Sequence, residues 1–231
     1  MRIRLKFEKT GALRFIGHLD VMRTFQKINR RAGIDIAYSK GFSPHQEMSF
    51  ATPLGLGLTS IGEYVDYEMN SVPGKEELIA ALNKASTPEL FISDACLLPD
   101  GVKNAMAILA SADYTLSFRE GHAPSDMEAF YENLFRYLSR ETIPVVKKTK
   151  TGTQEVDLRK QILFAERRGN ALFLSVDTGS RSNLKPEFVI ECFSKDSGIP
   201  YDPLLFDIRR DELYGEEDGK RIPLIAYGKD F

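Results

Sequence analysis

The chain opens on strict alternation of apolar and cationic positions. Ile3, Leu5 and Phe7 take one set and Arg2, Arg4 and Lys6 the other, which predicts a half-buried strand with a basic outer face. Thr10-Gly11 breaks the strand, and from His18 the period changes. Leu19, Met22, Phe25 and Ile28 recur at three-residue steps, predicting a helix that Gly33 ends by adopting the left-handed conformation. Ile34, Ile36 and Tyr38 alternate over a short candidate strand. The residues from Tyr38 to Gln46 follow neither period and read as a loop. Two strands follow, over 48–53 and 62–69, joined by a Gly-rich turn. In the second, Val65, Tyr67 and Met69 alternate with Tyr64, Asp66 and Glu68. Pro73-Gly74 starts a helix over 75–84 carrying Leu78, Ile79 and Leu82, and 90–97 supplies a last strand.

The order is β-α-β-β-α-β, the split βαβ arrangement of ferredoxin-like units. After a connection over 98–111 the order begins again. Tyr114, Leu116 and Phe118 mark a strand. Ser125 and Glu128 have the spacing of a capping box before a helix to about Ser139. Strands are expected over 145–149, 161–166 and 171–177, then a helix opened by Pro186 and closed by Gly198, then a strand over 204–208. The expected fold is therefore α+β, two tandem ferredoxin-like sandwiches over residues 1–100 and 110–231. From Asp202 to Asp218 the chain holds seven acids and two arginines, expected to be a solvated terminal segment or a mimic covering the basic surface.

Composition narrows the class. A chain of 231 residues, 42% hydrophobic and 28% charged, has the make-up of one or two ordinary globular domains. Cys96 and Cys192 stand far apart and outside any CxxC motif, so no zinc or iron–sulfur site, and no cofactor of the chain's own, is expected. With no signal peptide and no long apolar run, a cytoplasmic protein without membrane contact is expected. The net charge of −2 conceals an asymmetry: residues 1–45 carry ten Lys/Arg against three Asp/Glu, the rest 21 against 30. A polyanion would meet the first forty-five residues, unless their cations pair with the acidic remainder.

Within the helix, Arg23, Lys27, Arg30 and Arg31 form a separate cationic stripe, the better phosphate-binding candidate. The loop after it sets Tyr38 and Phe42 beside Lys40 and His45, a composition suited to bases and phosphates. Arg2, Arg4 and Lys6 would lie on a sheet face left free, as in RNA-recognition modules. For this strand, ion pairing across to Asp66 and Glu68 is the preferred reading. His18 and His45 admit three roles: acid and base in RNA cleavage, a metal site with Asp20, or plain binding and structural roles, which are preferred. His122 reads as a surface-loop residue. A second basic cluster, with Lys150 and Arg159, could hold phosphates or be an ordinary exposed hairpin. Gly55-Leu-Gly-Leu is not a nucleotide loop, since no Gly-Lys-Ser/Thr follows.

One denser pattern runs through residues 3–70: Lys9-Thr-Gly-Ala-Leu-Arg-Phe-Ile-Gly-His-Leu-Asp20, Arg30-Arg-Ala-Gly33, Tyr38-Ser, Gly41-Phe-Ser-Pro-His45, Ser49-Phe-Ala, Pro53-Leu and Gly62-Glu-Tyr-Val-Asp66. It resembles the radical-SAM-linked proteins, a family of unknown function. The resemblance thins afterwards but extends to Lys150-Thr-Gly-Thr-Gln-Glu-Val-Asp-Leu-Arg159. It departs around Pro44-His45-Gln46, where the family usually has Asn before the proline and a second Pro after the histidine, so the loop is expected to be less stiff. The resemblance implies a protein encoded beside, or fused to, a radical SAM enzyme, often near genes for ribosomal and RNA-processing proteins. Any radical chemistry then belongs to that partner. The expected role is non-catalytic: binding RNA (tRNA or rRNA) or another anionic substrate and presenting it to the enzyme. Substrate contacts are expected from Arg14, His18, Arg23, Lys27, Arg30, Arg31, Tyr38, Lys40, Phe42, His45, Lys150 and Arg159. The alternatives are an endoribonuclease using His18 and His45, similar in layout to the repeat-RNA endoribonucleases of CRISPR systems, and a docking subunit without nucleic acid.

Overall fold

A computed structural model describes residues 1–149 and 152–231. The protein is mixed α+β, with mostly antiparallel strands and five α-helices among the described residues. In chain order the elements are β1 (Arg2–Lys9), α1 (His18–Ala32), β2 (Met48–Phe50), β3 (Thr59–Glu68), α2 (Lys75–Ala85), β4 (Ile92–Leu98), α3 (Ala105–Ile108) and β5 (Leu109–Phe118). There follow α4 (Met127–Leu138), β6 (Pro144–Thr149), β7 (Gly152–Asp157), β8 (Ile162–Arg168), β9 (Ala171–Asp177), α5 (Pro186–Asp196), β10 (Phe206–Glu217) and β11 (Lys220–Pro223). No helix among the described residues is long and apolar enough to cross a membrane. The chain divides into two compact units, one of Met1–Ser111 with Arg209–Phe231, the other of Ala112–Ile208. Residues 209–231, which the sequence assigns to the second domain, thus cluster with the first.

In the first unit β1 is central, antiparallel to β3 on one side and to β4 on the other, and β2 pairs antiparallel with β3. Alternation does what the sequence suggests on one face. Ile3, Leu5 and Phe7 meet Val65 and Tyr67 of β3, and all are buried beneath Phe25 and Ile28 of α1 and Leu78 and Leu82 of α2. The buried face of α1 is Val21, Phe25, Ile28 and Asn29, whereas Leu19 is exposed. Three-residue steps lag a helix of 3.6 residues per turn, so nine residues carry Leu19 half a circle away from Ile28. Gly33 ends α1 in the left-handed region at φ 68°, its N–H donating to Arg30 O.

The opposite face of β1 is not free. Arg4 is wholly buried, donating from Nε and Nη2 to Asp66 Oδ1 and Oδ2 at 2.7 and 2.9 Å, and from Nη1 to Leu224 O at 2.8 Å. Asp66 Oδ2 also accepts from Ala105 N at 2.8 Å. Lys6 reaches Glu212 at 2.6 Å, and Arg2 donates to Val102 O with Glu68 3.8 Å away. The cross-strand pairing of Arg4 with Asp66 is therefore realised, and the open recognition face is not, because the 3₁₀ turn Leu224–Tyr227 and β10 supply acceptors to these cations and α3 donates to Asp66. The acidic segment from Asp202 to Asp218 is likewise no solvated tail. Most of it forms β10, with Phe206, Ile208, Arg210 and Leu213 buried. A Cβ on Gly62 would fall 2.8 Å from Glu212 Cα, so this close approach of β3 and β10 needs the missing side chain.

In the second unit β9 lies between β5 and β8. Its core is aromatic, with Phe130 of α4 set edge-on to Phe118 and to Phe193 of α5 at 5.3 and 5.5 Å between centroids. Strands β6 and β7 form a separate two-stranded ribbon. Two local expectations shift. Asp126, not Ser125, caps α4 by accepting from Ala129 N at 2.9 Å, and Glu128 pairs with Arg167. An aspartate caps as well as a serine, and one residue of slippage selects between them. Residues 34–38 make only the isolated bridges Ile36–Met69 and Tyr38–Gln46 rather than a strand.

Replacing Asp66 by Ala leaves the Arg4 guanidinium buried without its carboxylate. We expect a loss of about 3–5 kcal/mol in urea unfolding, most of it recovered in the double variant Arg4→Met with Asp66→Leu. Equal stability of Asp66→Ala and the parent would contradict this account.

Candidate functional site

The cationic stripe of α1 stands in solvent. Arg23, Lys27, Arg30 and Arg31 are all exposed. The carboxylate contact within the stripe is Arg23 to Asp20 at 3.2 Å, an exposed pair one helical turn apart that water and salt screen. Arg30 donates from Nε to Gln26 O at 3.1 Å, and Arg31 from Nη2 to Ala85 O at 2.6 Å, at the C-terminus of α2. Neither bond neutralises a charge. Arg31 and Lys84 also line a hollow floored by Ala32, Ala81 and Ala85.

The loop that follows is fastened to α1 by Gln46. Its buried amide accepts from Asn29 Nδ2 at 2.9 Å and donates to Gln26 O at 3.3 Å and Tyr38 Oη at 3.2 Å. Asn29 in turn accepts from Tyr67 Oη at 3.0 Å. These bonds bring the Tyr38–His45 loop alongside the stripe. Phe42 is fully exposed, Tyr38 half so, and Lys40 is exposed. His45 is held by Ser39, whose Oγ lies 2.8 Å from Nδ1 and accepts from the His45 N–H at 3.1 Å. The side chain at position 46 thus ties the loop to α1 by hydrogen bonding.

His18 occupies a different hollow, lined with Phe7, Lys9, Val21, Phe50, Thr52, Leu54 and Glu63. His45 lines one with Arg2, Gln46, Asp66, Glu68 and Asn104, and the two hollows share no residue. His18 starts α1 and stands edge-on to Phe50 at 5.2 Å. Burial, partly offset by the Glu63 carboxylate, holds its pKa below the ordinary 6.5. Beside it Lys9 is 2% exposed and donates to Ile16 O at 3.1 Å, and burial lowers its pKa as well. Glu63 takes two bonds from Arg210 Nη1, at 2.9 and 3.1 Å. Sequence reasoning missed Lys9, Glu63 and Arg210. A signal existed: Lys9 extends the Ile3-Leu5-Phe7 series and Glu63 precedes Val65-Tyr67-Met69, so both charges fall on the buried face of neighbouring strands.

The other candidates are dispersed. Arg14 donates from Nε to Gly57 O at 3.0 Å. In the second unit Arg159 bonds Ile162 O at 2.6 Å, and His122 pairs with Asp202 at 2.8 Å. Lys150 lies outside the described residues. Among the described residues no group of three or more His, Cys, Asp or Glu side chains gathers to hold a metal ion, His18 and Asp20 included.

A family model described as an uncharacterized protein conserved in bacteria (DUF2344) matches residues 2–186. No curated protein matches the chain.

His18 carries a stability consequence with a definite sign. Between its lowered native pKa and 6.5 the unfolded chain binds more protons, so its contribution is complete above 6.5 and is lost as pH falls below that value. We expect thermal midpoints measured from pH 8 to pH 5 to fall more steeply for the parent than for His18→Gln. Parallel curves would refute the assignment.

Proposed function

The chain belongs to this uncharacterized bacterial family, and from that premise we propose that it is a non-catalytic accessory protein that binds RNA, or another anionic substrate, and presents it to a radical SAM enzyme. The observation that carries the binding half is the exposed stripe Arg23, Lys27, Arg30 and Arg31 with the Gln46-fastened aromatic loop beside it. Phosphates need cations that are not already neutralised, and these are opposed only by the exposed Asp20 contact among the described residues. Bases need exposed rings to stack on, which Phe42 and Tyr38 supply. The partner half rests on the resemblance to the radical-SAM-linked proteins. With His18 and His45 in separate hollows, the binding role has more support than cleavage.

Both units are read here as ferredoxin-like. In support, the first has the strand order β4-β1-β3-β2 with antiparallel neighbours. In the second, β9 separates β5 from β8, with α4 and α5 placed in the chain as that pattern requires.

A docking role toward the same enzyme has its own observation. Phe15, Leu19 and Leu56 are exposed. Bonds in both directions between Arg14 and Gly57 draw the Leu56 turn alongside the turn ending at Phe15. Co-purification with the enzyme that survives nuclease and is lost in Phe15→Ser/Leu19→Ser would favour this role over RNA presentation.

For RNA binding, affinity for total cellular RNA should fall steeply with salt. Charge reversal at Arg23, Lys27 and Arg30 should weaken it and reduce the slope of log K against log salt by about 2, three contacts at roughly 0.7 each. Retention that is absent, or that ignores both salt and these substitutions, would end the proposal.

A further inference from the structure

The hollow under His18 holds an ammonium whose hydrogen bonding is incomplete among the described residues. Glu63, which also lines the hollow, accepts from Arg210 Nη1 at both carboxylate oxygens. Lys9 is only 2% exposed, yet among the described residues its ammonium has one hydrogen bond, to Ile16 O. An ammonium carries three donors, so two are left facing a cavity of about 10 Å³, room for roughly one water or one oxygen atom. Phe7, Val21, Phe50 and Leu54 close its apolar walls, the Arg210-bonded Glu63 supplies a polar one, and half-exposed His18 and Thr52 stand at the rim. Leaving a buried ammonium half-satisfied is unfavourable, and a negatively charged oxygen is the group that would relieve it best.

We propose that this cavity is a subsite for one oxygen of a phosphate group, bound by Lys9 from within and by His18 at the rim. A whole phosphate is too large to enter, so its other oxygens stay outside, next to the N-terminus of α1. That helix starts at His18 with Gly17 as an N-cap lacking a side chain, and its dipole favours negative charge there. Arg210 holds the Glu63 carboxylate by two hydrogen bonds, at 2.9 and 3.1 Å. The source of the phosphate, an RNA backbone, rests on the function proposed above, whereas the chemistry of the cavity does not.

The test is a titration of the full-length protein with inorganic phosphate, against chloride at matched ionic strength, following the His18 ring and the Lys9 side chain by NMR. Both signals should move saturably with phosphate, and the His18 pKa should rise. Lys9→Met should weaken phosphate binding roughly 10- to 100-fold, the loss of one charge-assisted hydrogen bond. If Lys9→Met does not fold, His18→Ala at the half-exposed rim provides the comparison. Signals that do not move, as for a cavity filled by an ordered water, or movement that survives these substitutions, would overturn the subsite. Repeating the titration with a short RNA separates the two proposals. Phosphate binding without salt-sensitive RNA binding keeps the subsite and ends the RNA reading. RNA binding that leaves His18 and Lys9 unmoved does the reverse.

Discussion

A charge buried in a protein needs an opposite charge or a full set of hydrogen bonds, and the first unit is organised by that constraint. Strands β1 and β3 carry charged side chains on both of their faces. On one face Arg4 and Asp66 satisfy each other and recruit the carbonyl of Leu224 and the amide of Ala105. On the other, Glu63 and Arg210 pair where the helix layer ends. Each pair takes at least one partner from a distant part of the sequence, so the last residues of the chain cannot leave without exposing a charge to an apolar environment. This explains why an acidic stretch of unremarkable composition becomes a strand. Glu212 serves Lys6 and Tyr64 together, and Gly62 allows the backbone of β10 to approach.

The same constraint separates the cations into two populations. Arg2, Arg4 and Lys6 of β1 are engaged within the fold by Val102, Asp66 and Glu212. Those on α1 project from a helix whose other side is occupied by the core, and their bonds are mostly to backbone carbonyls, which leave the charge in place. A basic amino-terminal segment therefore yields a smaller binding surface than its net charge suggests, concentrated on one helix and the loop after it. Gln46 is what makes helix and loop one surface, because its single amide holds Asn29, the Gln26 carbonyl and Tyr38 at once.

Much of this was legible beforehand. Alternation in β1 and β3 identified the core face correctly, and Gly33 and Pro186 marked a helix end and a helix start. That Asp66 and Glu68 oppose the cations of β1 followed from strand adjacency, while the register that sets Arg4 opposite Asp66 came from the fold. Where sequence and structure differ the reasons are physical. A three-residue apolar step mimics a helical stripe over one turn but drifts over three, which is why Leu19 shares the sequence period yet lies off the buried face. Asp126 and Ser125 are equivalent as caps until the backbone selects one.

By itself the sequence determined most elements of the first unit, their order and the buried face of β1 and β3, since these depend on neighbours a few residues apart. It also determined that positive charge gathers in the first forty-five residues. Only the tertiary structure decided which of those charges remain available, because their partners, Glu63, Asp66 and Glu212, lie between 54 and 206 residues away along the chain. Electrostatic pairing acts through space at a few ångströms, and local periodicity holds no record of which distant segment the fold brings that near.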